Sequence, residues 1–415
     1  MSSAAGREPS HGSNPFGWYL AGAACQFIPF GVHNVLFAWL LTVQLGENGV
    51  RLGFAQMCAQ LPGLFLMLFS GVLADRMDRR RILIMFHCLG ALPGMTLALL
   101  VSQGYLSYGA LLVFALAFGL CNTFLQPARD SLLNQVVHSN LQRAVTLSMG
   151  LMFGCQIVGY GFASQADEFG AVPLLVLQGS LHLMGAMFAL KLPHFTPARE
   201  SLEVAKEKAT KSALSDIRDG LRVILGSPRM APVMLLMLAI GLFYSGAFFV
   251  LNPLVVRDIY GGDASDIALS YVCFMVGTIF TTIILVAVGG IRRQGRGLML
   301  ALLMGGAFLT LIAFELPFWG YLVCLGFWGM GAGVSMSLGR GIIQENAPEN
   351  YRARALSIFS LGNLGAMPIG SVLMGYLSMQ LGPLNAYLVA VAGVYSVVAL
   401  IWLRTELGRV NRLQE

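Results

Sequence analysis

The chain reads as a succession of long apolar runs broken by short polar stretches. The runs fall at 16–43, 52–74, 82–102, 105–127, 141–165, 171–191, 231–256, 267–290, 297–314, 316–339, 353–379 and 383–403. Each is close to or above the roughly 20 residues that a helix needs to cross the hydrocarbon core of a bilayer. None shows the alternation of a membrane β-strand, so the runs predict helices and not a barrel. One long hydrophilic segment, 192–230, separates six runs from six. Inside it, Leu214, Ile217, Leu221 and Ile224 recur at helical spacing, as in an amphipathic helix lying on a membrane surface. The pattern predicts an all-α membrane protein with twelve transmembrane helices. They form two pseudo-symmetric six-helix bundles, 1–191 and 231–415, joined by the linker 192–230. Met1 to Pro15 is polar and has no basic start followed by a short apolar core, so the first run is expected to stay in the protein as a span.

Composition agrees and adds orientation. Of 415 residues, 56% are hydrophobic and only 11% charged, and mean hydropathy is +0.72. A soluble domain of that composition would lack polar surface to cover its core. The net charge of +6 does not point to nucleic acid, because its placement explains it. With twelve spans, every Lys and Arg except Arg51 and Arg257 falls at the two termini or in the loops after even-numbered spans. That is the positive-inside rule, and it places both termini in the cytoplasm. The seven cysteines are scattered with no CxxC pair, as expected of small packing residues.

The densest polar stretch is Gly71-Val-Leu-Ala-Asp75-Arg76-Met77-Asp78-Arg79-Arg80-Arg81, a very tight loop between spans 2 and 3. A degraded copy, Gly290-Ile-Arg-Arg-Gln-Gly-Arg296, stands between spans 8 and 9. At an offset of 211 residues Arg129 meets Arg340, Arg143 meets Arg354, Ala144 meets Ala355, Gly154 meets Gly365 and Gly159 meets Gly370. Two six-helix halves that echo each other are a transporter architecture, with the substrate site at their interface near the membrane midplane. The 71–81 loop resembles the signature loop of the major facilitator superfamily, and the resemblance in topology covers the whole chain. Asp78, together with the stretch 219–228 before span 7, is most similar to the bacterial branch that includes the enterobactin exporter and macrolide efflux proteins.

The resemblance implies roles. Gly71, Asp75, Arg76, Arg79 and Arg80 would form the cytoplasmic gate, with Asp75 latching onto the start of span 11 near Arg352 and Arg354. Spans 1, 4, 7 and 10 would line the cavity. Their polar and aromatic residues are Gln26, His33 and Asn34; Asn122 and Gln126; Tyr244, Phe248 and Asn252; Trp328 and Ser335. Polar groups at lipid depth are costly and turn inward. Gln56 with Gln60, and Gln178 with His182, pair at i, i+4 and read as packing or gate contacts. Met230, Met234 and Met237 form a stripe that reads as packing. In span 5, Gly150-x-x-x-Gly154 allows close helix approach, but the proline of the antiporter pattern is missing. No arginine falls inside span 4 as bounded above.

No carboxylate lies at the middle of a run. The groups expected to handle protons are therefore His33, with Asp130 and Glu345 just past spans 4 and 10. No phosphate loop, metal-ligand spacing or catalytic constellation is present, so no cofactor and no enzyme activity are expected. The expectation is a monomeric secondary transporter in the bacterial inner membrane that moves an amphipathic small molecule such as a siderophore, drug or metabolite, with proton-coupled efflux ahead of proton-coupled uptake. A lipid flippase and a non-transporting sensor or scaffold are the readings from other classes.

Overall fold

The computed structural model describes residues 15–137, 140–194, 220–348 and 351–409; the side chains of Leu68, Val72, Asp75, Arg76, Asn134, Leu141, Gln142, Ala353, Arg354 and Arg409 lie outside the description. The described residues form twelve long helices: α1 Pro15–Gln44, α2 Gly49–Arg76, α3 Arg79–Ser102, α4 Tyr108–Val136, α5 Leu141–Ala163, α6 Ala171–Leu190, α7 Met230–Asp258, α8 Ala264–Ala287, α9 Gln294–Ile312, α10 Phe318–Asn346, α11 Arg352–Leu381 and α12 Pro383–Arg404. Eleven of them hold a window apolar and long enough to span a bilayer; the twelfth, α2, packs between α4 and α11. Of the linker, 220–225 is helical with Ile224 fully buried, while 195–219 lies outside the described residues.

Backbone contact sets the packing inside each half. A Cβ at Gly31 in α1 would meet the Gln156 carbonyl at 2.4 Å, and one at Gly159 in α5 would meet the Ile28 carbonyl at 2.4 Å. The second half repeats this contact. A Cβ at Gly241 in α7 would meet the Asn363 carbonyl at 2.3 Å, and one at Gly370 in α11 would meet the Leu242 carbonyl at 2.3 Å. The Gly159–Gly370 equivalence seen in the sequence is thus one structural contact made twice. Where α7 lies on α11 it widens into π-helical turns at Ile240–Ser245 and Ala247–Leu251; such turns recur at functional sites. By contrast, a Cβ at Gly150 or Gly154 would meet nothing within 4 Å. The GxxxG pair makes no close approach here; Gly159 makes it one helical turn further on.

The halves touch through α2 against α11 and α5 against α8. These contacts are uneven along the helices. The turns Met77–Asp78 and 288–293 mark one end of the bundle, called here the basic end. Gly71, near that end, has open space around it. At the opposite end α2 and α11 meet backbone to backbone: a Cβ at Gly53 would sit 2.3 Å from the Ser371 carbonyl, and one at Gly375 would sit 2.2 Å from the Gly49 carbonyl.

Two helices run past their expected ends. α4 continues through Pro127 to Val136, and α10 continues to Asn346. Arg129 and Asp130 therefore lie inside α4, and Arg340 and Glu345 inside α10. The expectation of no arginine in span 4 is corrected: Arg129 is a buried helix residue. Proline interrupts a membrane helix less than a soluble one, because neighbouring helices re-satisfy the freed backbone groups.

Candidate functional site

A cavity of about 270 Å³ lies between the halves. α1 gives it Phe30, His33 and Asn34; α2 gives Gln56, Gln60 and Met67; α4 gives Phe118, Asn122, Thr123, Gln126 and Asp130. The second half supplies Phe249, Leu364 and Met367. The lining reaches towards the basic end at Met67 and Asp130. It stops at mid-depth on the other side, where Gln56 Nε2 donates to the Phe249 carbonyl and Ser371 Oγ to Gln60 Oε1, each at 3.5 Å. Gln56 and Gln60 thus belong to the cavity as well as to the contact between halves. Thr123, Phe118, Phe30 and Phe249 were not singled out by the sequence. A polar i, i+4 pair on α2 was the one signal available for Gln56 and Gln60.

His33 is 5% exposed and stacks on Phe118 at 4.1 Å and Phe37 at 5.0 Å between ring centroids. Its Nδ1 has no hydrogen-bond partner. Gln26 points elsewhere. It accepts from Arg129 Nη1 at 2.9 Å and donates weakly to Asn122 Oδ1 at 3.4 Å. The Arg129 guanidinium lies 4.2 Å over the Phe27 ring and donates to Asp130 Oδ1 at 2.9 Å. That arrangement lets a charge sit among helices: the cation is paired, hydrogen-bonded and covered by an aromatic face. Asp130 keeps more than half of its side chain accessible on the cavity side. Glu345 is placed differently, and receives a 3.0 Å hydrogen bond from Gln294 Nε2 at the start of α9.

The residues expected to line the cavity from the second half are packed inside that half. Tyr244 donates to the Leu302 carbonyl at 3.1 Å. Asn252 is fully buried and bonded to Ser270 and Tyr321. Ser335 bonds back to the Gly331 carbonyl. Phe248 and Trp328 join Tyr271 and Phe274 in one aromatic cluster. The reason is volume: large rings on α7, α8 and α10 fill the interior, so of the described rings on these helices only Phe249 turns to the cavity, beside Leu364 and Met367 of α11. Met230, Met234 and Met237 are buried packing residues.

At the basic end, the turn after α2 is two residues long. Asp78 caps α3, accepting from the Arg80 amide at 3.0 Å, and lies 3.0 Å from His194 Nδ1. Arg80 Nη2 donates to the Leu190 carbonyl at the C-terminus of α6 at 2.6 Å, where the helix dipole favours a cation. Arg79 also has interactions there. Arg352 opens α11 and is exposed. The side chains of Asp75, Arg76 and Arg354 lie outside the described residues.

The opposite end is sealed by polar contacts absent from the sequence expectations. Asp167, between α5 and α6, accepts from Trp39 Nε1 at 2.9 Å and from the Ala264 amide at 2.7 Å. Ala264 is the first residue of α8, so a carboxylate of one half sits on a helix N-terminus of the other. Arg257 at the end of α7 crosses the other way, with Nη1 donating to the Thr42 and Glu47 carbonyls at 3.0 and 2.8 Å. Thr42 and Glu47 belong to the π-helical end of α1 and the turn after it.

Two six-helix bundles around a cavity that is sealed at one end have the architecture of a membrane transporter. The chain resembles the solved D-xylose–proton symporter at a TM-score of 0.74, with 15% identity over 96% of this chain and 99% of that one. Residues 19–414 match the family described as "Transmembrane secretion effector". The chain belongs to that family, within the major facilitator superfamily. Among its relatives, Macrolide efflux protein A of Streptococcus pyogenes is 22% identical over 87% of this chain and 89% of the relative. The enterobactin exporter EntS of Shigella flexneri is 23% identical over 81% and 80%. The protein is a multi-pass membrane transporter of a bacterial family, and not an enzyme.

Proposed function

We propose that the protein exports an amphipathic small molecule across the bacterial inner membrane in exchange for protons. The halves 1–191 and 231–415 rock about the midplane cavity, with 192–230 as the connection. One observation carries this reading: the cavity between the halves, an apolar wall set with side-chain amides, extends towards the basic end, and polar contacts between the halves seal the other end. The positive-inside rule supports a cytoplasmic basic end, and on that reading the cavity loads from the cytoplasm. In the alternate state Asp75 latches the cytoplasmic side on the α11 N-terminus near Arg352.

The lining defines the cargo's chemistry. Asn34, Gln56, Gln60, Asn122 and Gln126 offer amides that both donate and accept, while Phe30, Phe118, Phe249, Met67 and Met367 offer apolar surface. Among the described residues, Asp130 is the one ionisable side chain on the lining apart from His33. This suits an uncharged or singly cationic molecule with hydroxyl or amide groups. A polyanion would lose its hydration with no lysine or arginine among the described lining residues to replace it. The names of the two relatives above, an efflux protein and an exporter, favour export over uptake.

Everted vesicles carrying the protein, energised by a pH gradient, are expected to accumulate the monocationic macrolide erythromycin. Asp130→Asn should weaken its binding about three- to fivefold, the size expected for a half-exposed charge contact, and leave an uncharged analogue unaffected. Accumulation by right-side-out vesicles alone would reverse the direction.

A further inference from the structure

The first half holds a second polar centre that the cavity does not include. His87 of α3 and His182 of α6 face each other with Nδ1 atoms 3.3 Å apart, both almost fully buried. Each ring rests on a glycine of the opposite helix. A Cβ at Gly185 would lie 2.5 Å from the His87 ring, and one at Gly90 would lie 3.1 Å from the His182 ring. The two helices carry the same His-x-x-Gly pattern, His87 to Gly90 and His182 to Gly185, running in opposite directions. The clasp is thus reciprocal, and each glycine is small because a ring occupies its side-chain space.

Two buried imidazoles at this distance share one hydrogen bond. One ring must carry its proton on Nδ1 and the other must present an Nδ1 lone pair. His182 Nε2 has no partner, and neither polar atom of Gln178, one turn away on α6, has one. With His182 as the donor, its Nε2 is a bare lone pair, the atom ready to receive a proton. A proton added there converts the contact into a charge-assisted hydrogen bond from an imidazolium to a neutral imidazole.

On the other side of His87 a void of about 10 Å³ is bounded by Tyr19, Gln26, His87 and Arg129, the room that one water needs. Arg129 of α4 is the charged group acting on His87; Tyr19 of α1 shares the void, and His33 of α1 lies beyond Phe118, which touches His182 edge-on. No carboxylate among the described residues acts on either ring. A proton on the pair therefore adds a second cation beside Arg129, whose carboxylate partner is Asp130. Repulsion is relieved if Arg129 shifts, and Arg129 is bonded to Gln26 and Asp130, the first of which reaches Asn122 on the cavity wall.

We propose that the His87–His182 pair is the site that binds the coupling proton, and that Arg129 and Gln26 transmit its charge state to the substrate cavity. The site takes one proton from water, forming one N–H bond at an imidazole nitrogen. It returns that proton to water on the other side of the membrane. The proposal rests on the proton-coupled reading above.

The test uses the full chain. In nanodiscs with ¹⁵N-labelled histidine, the His87 and His182 resonances are expected to move together as the pH is lowered from 8 to 3 and one proton binds, and His182→Gln should abolish the His87 change. Two rings that stay unprotonated throughout, or that titrate independently, would overturn the site. In proteoliposomes, His182→Gln and His87→Gln should lower gradient-driven erythromycin accumulation at least tenfold, while gradient-free counterflow stays within twofold. Equal loss of both activities in folded variants would mean a structural role, and retained accumulation would refute the coupling. If the wild-type chain moves erythromycin in neither assay, the efflux reading fails for that compound, and the titration alone decides the pair.

Discussion

Asp167 receives two hydrogen bonds, one from an indole of its own half and one from the first amide of α8 in the other half. Removing its charge weakens a charge-assisted bond at a helix N-terminus, about 1 kcal/mol, or roughly a fivefold change in the balance between open and sealed ends. With spin labels at Tyr105 and Trp319, both exposed and on opposite halves, Asp167→Asn is expected to enlarge the long-distance population about fivefold. An unchanged distance distribution would remove Asp167 from the seal. None of this was legible in the sequence, where Asp167 sits in a short polar connection with no pattern around it. The partner lies 97 residues away. Arg129 was hidden for a related reason. A proline followed by an arginine and an aspartate reads as the end of a span, and two of the groups that make a buried guanidinium tolerable, Gln26 and the Phe27 ring, lie in a distant part of the chain.

At the scale of helices, the number and order of the spans were readable because lipid imposes length and apolarity on every one of them. Which glycines matter was not. Gly150 and Gly154 carry the recognisable spacing but face open space, while Gly159 touches the α1 backbone. This yields a matched pair. Gly159→Ala forces α1 and α5 apart and should cost about 1–3 kcal/mol, the usual range for overpacking. Gly150→Ala should be neutral or slightly stabilising, since alanine favours the helix by up to about 1 kcal/mol. Unfolding midpoints of the two variants in detergent will separate them; equal midpoints would contradict the contact. The aromatic filling of α7, α8 and α10 was similarly illegible, because a helix whose rings face inward within its own half has the same spacing as one whose rings face a cavity.

At the scale of the molecule, the repeat is structural but the halves have diverged in chemistry. The first half keeps buried amides, imidazoles and a guanidinium, several of them without partners: His33 Nδ1, His182 Nε2 and both polar atoms of Gln178. The second half pins tyrosines to backbone carbonyls, with Tyr244 on Leu302, Tyr260 on Leu316 and Tyr395 on Leu303. Each such bond contributes about 1 kcal/mol and restrains two helices against each other. Backbone amides of α9, α10 and α12 are therefore expected to exchange with deuterium more slowly than those of α3, α4 and α6, by a factor of about ten; mass spectrometry of the full chain in nanodiscs reads this directly, and equal rates would refute it.

The carbonyl-bound tyrosines also bear on where a working cycle deforms the protein. Three hydroxyls riveted to neighbouring backbones make one half the stiffer frame, while a larger share of unsatisfied buried polar atoms leaves the other more compliant. Motion between two such bodies is not that of a symmetrical clamp. The stiffer half serves as the fixed jaw, and strain generated at the cavity is absorbed by the half whose interior has more polar atoms seeking partners.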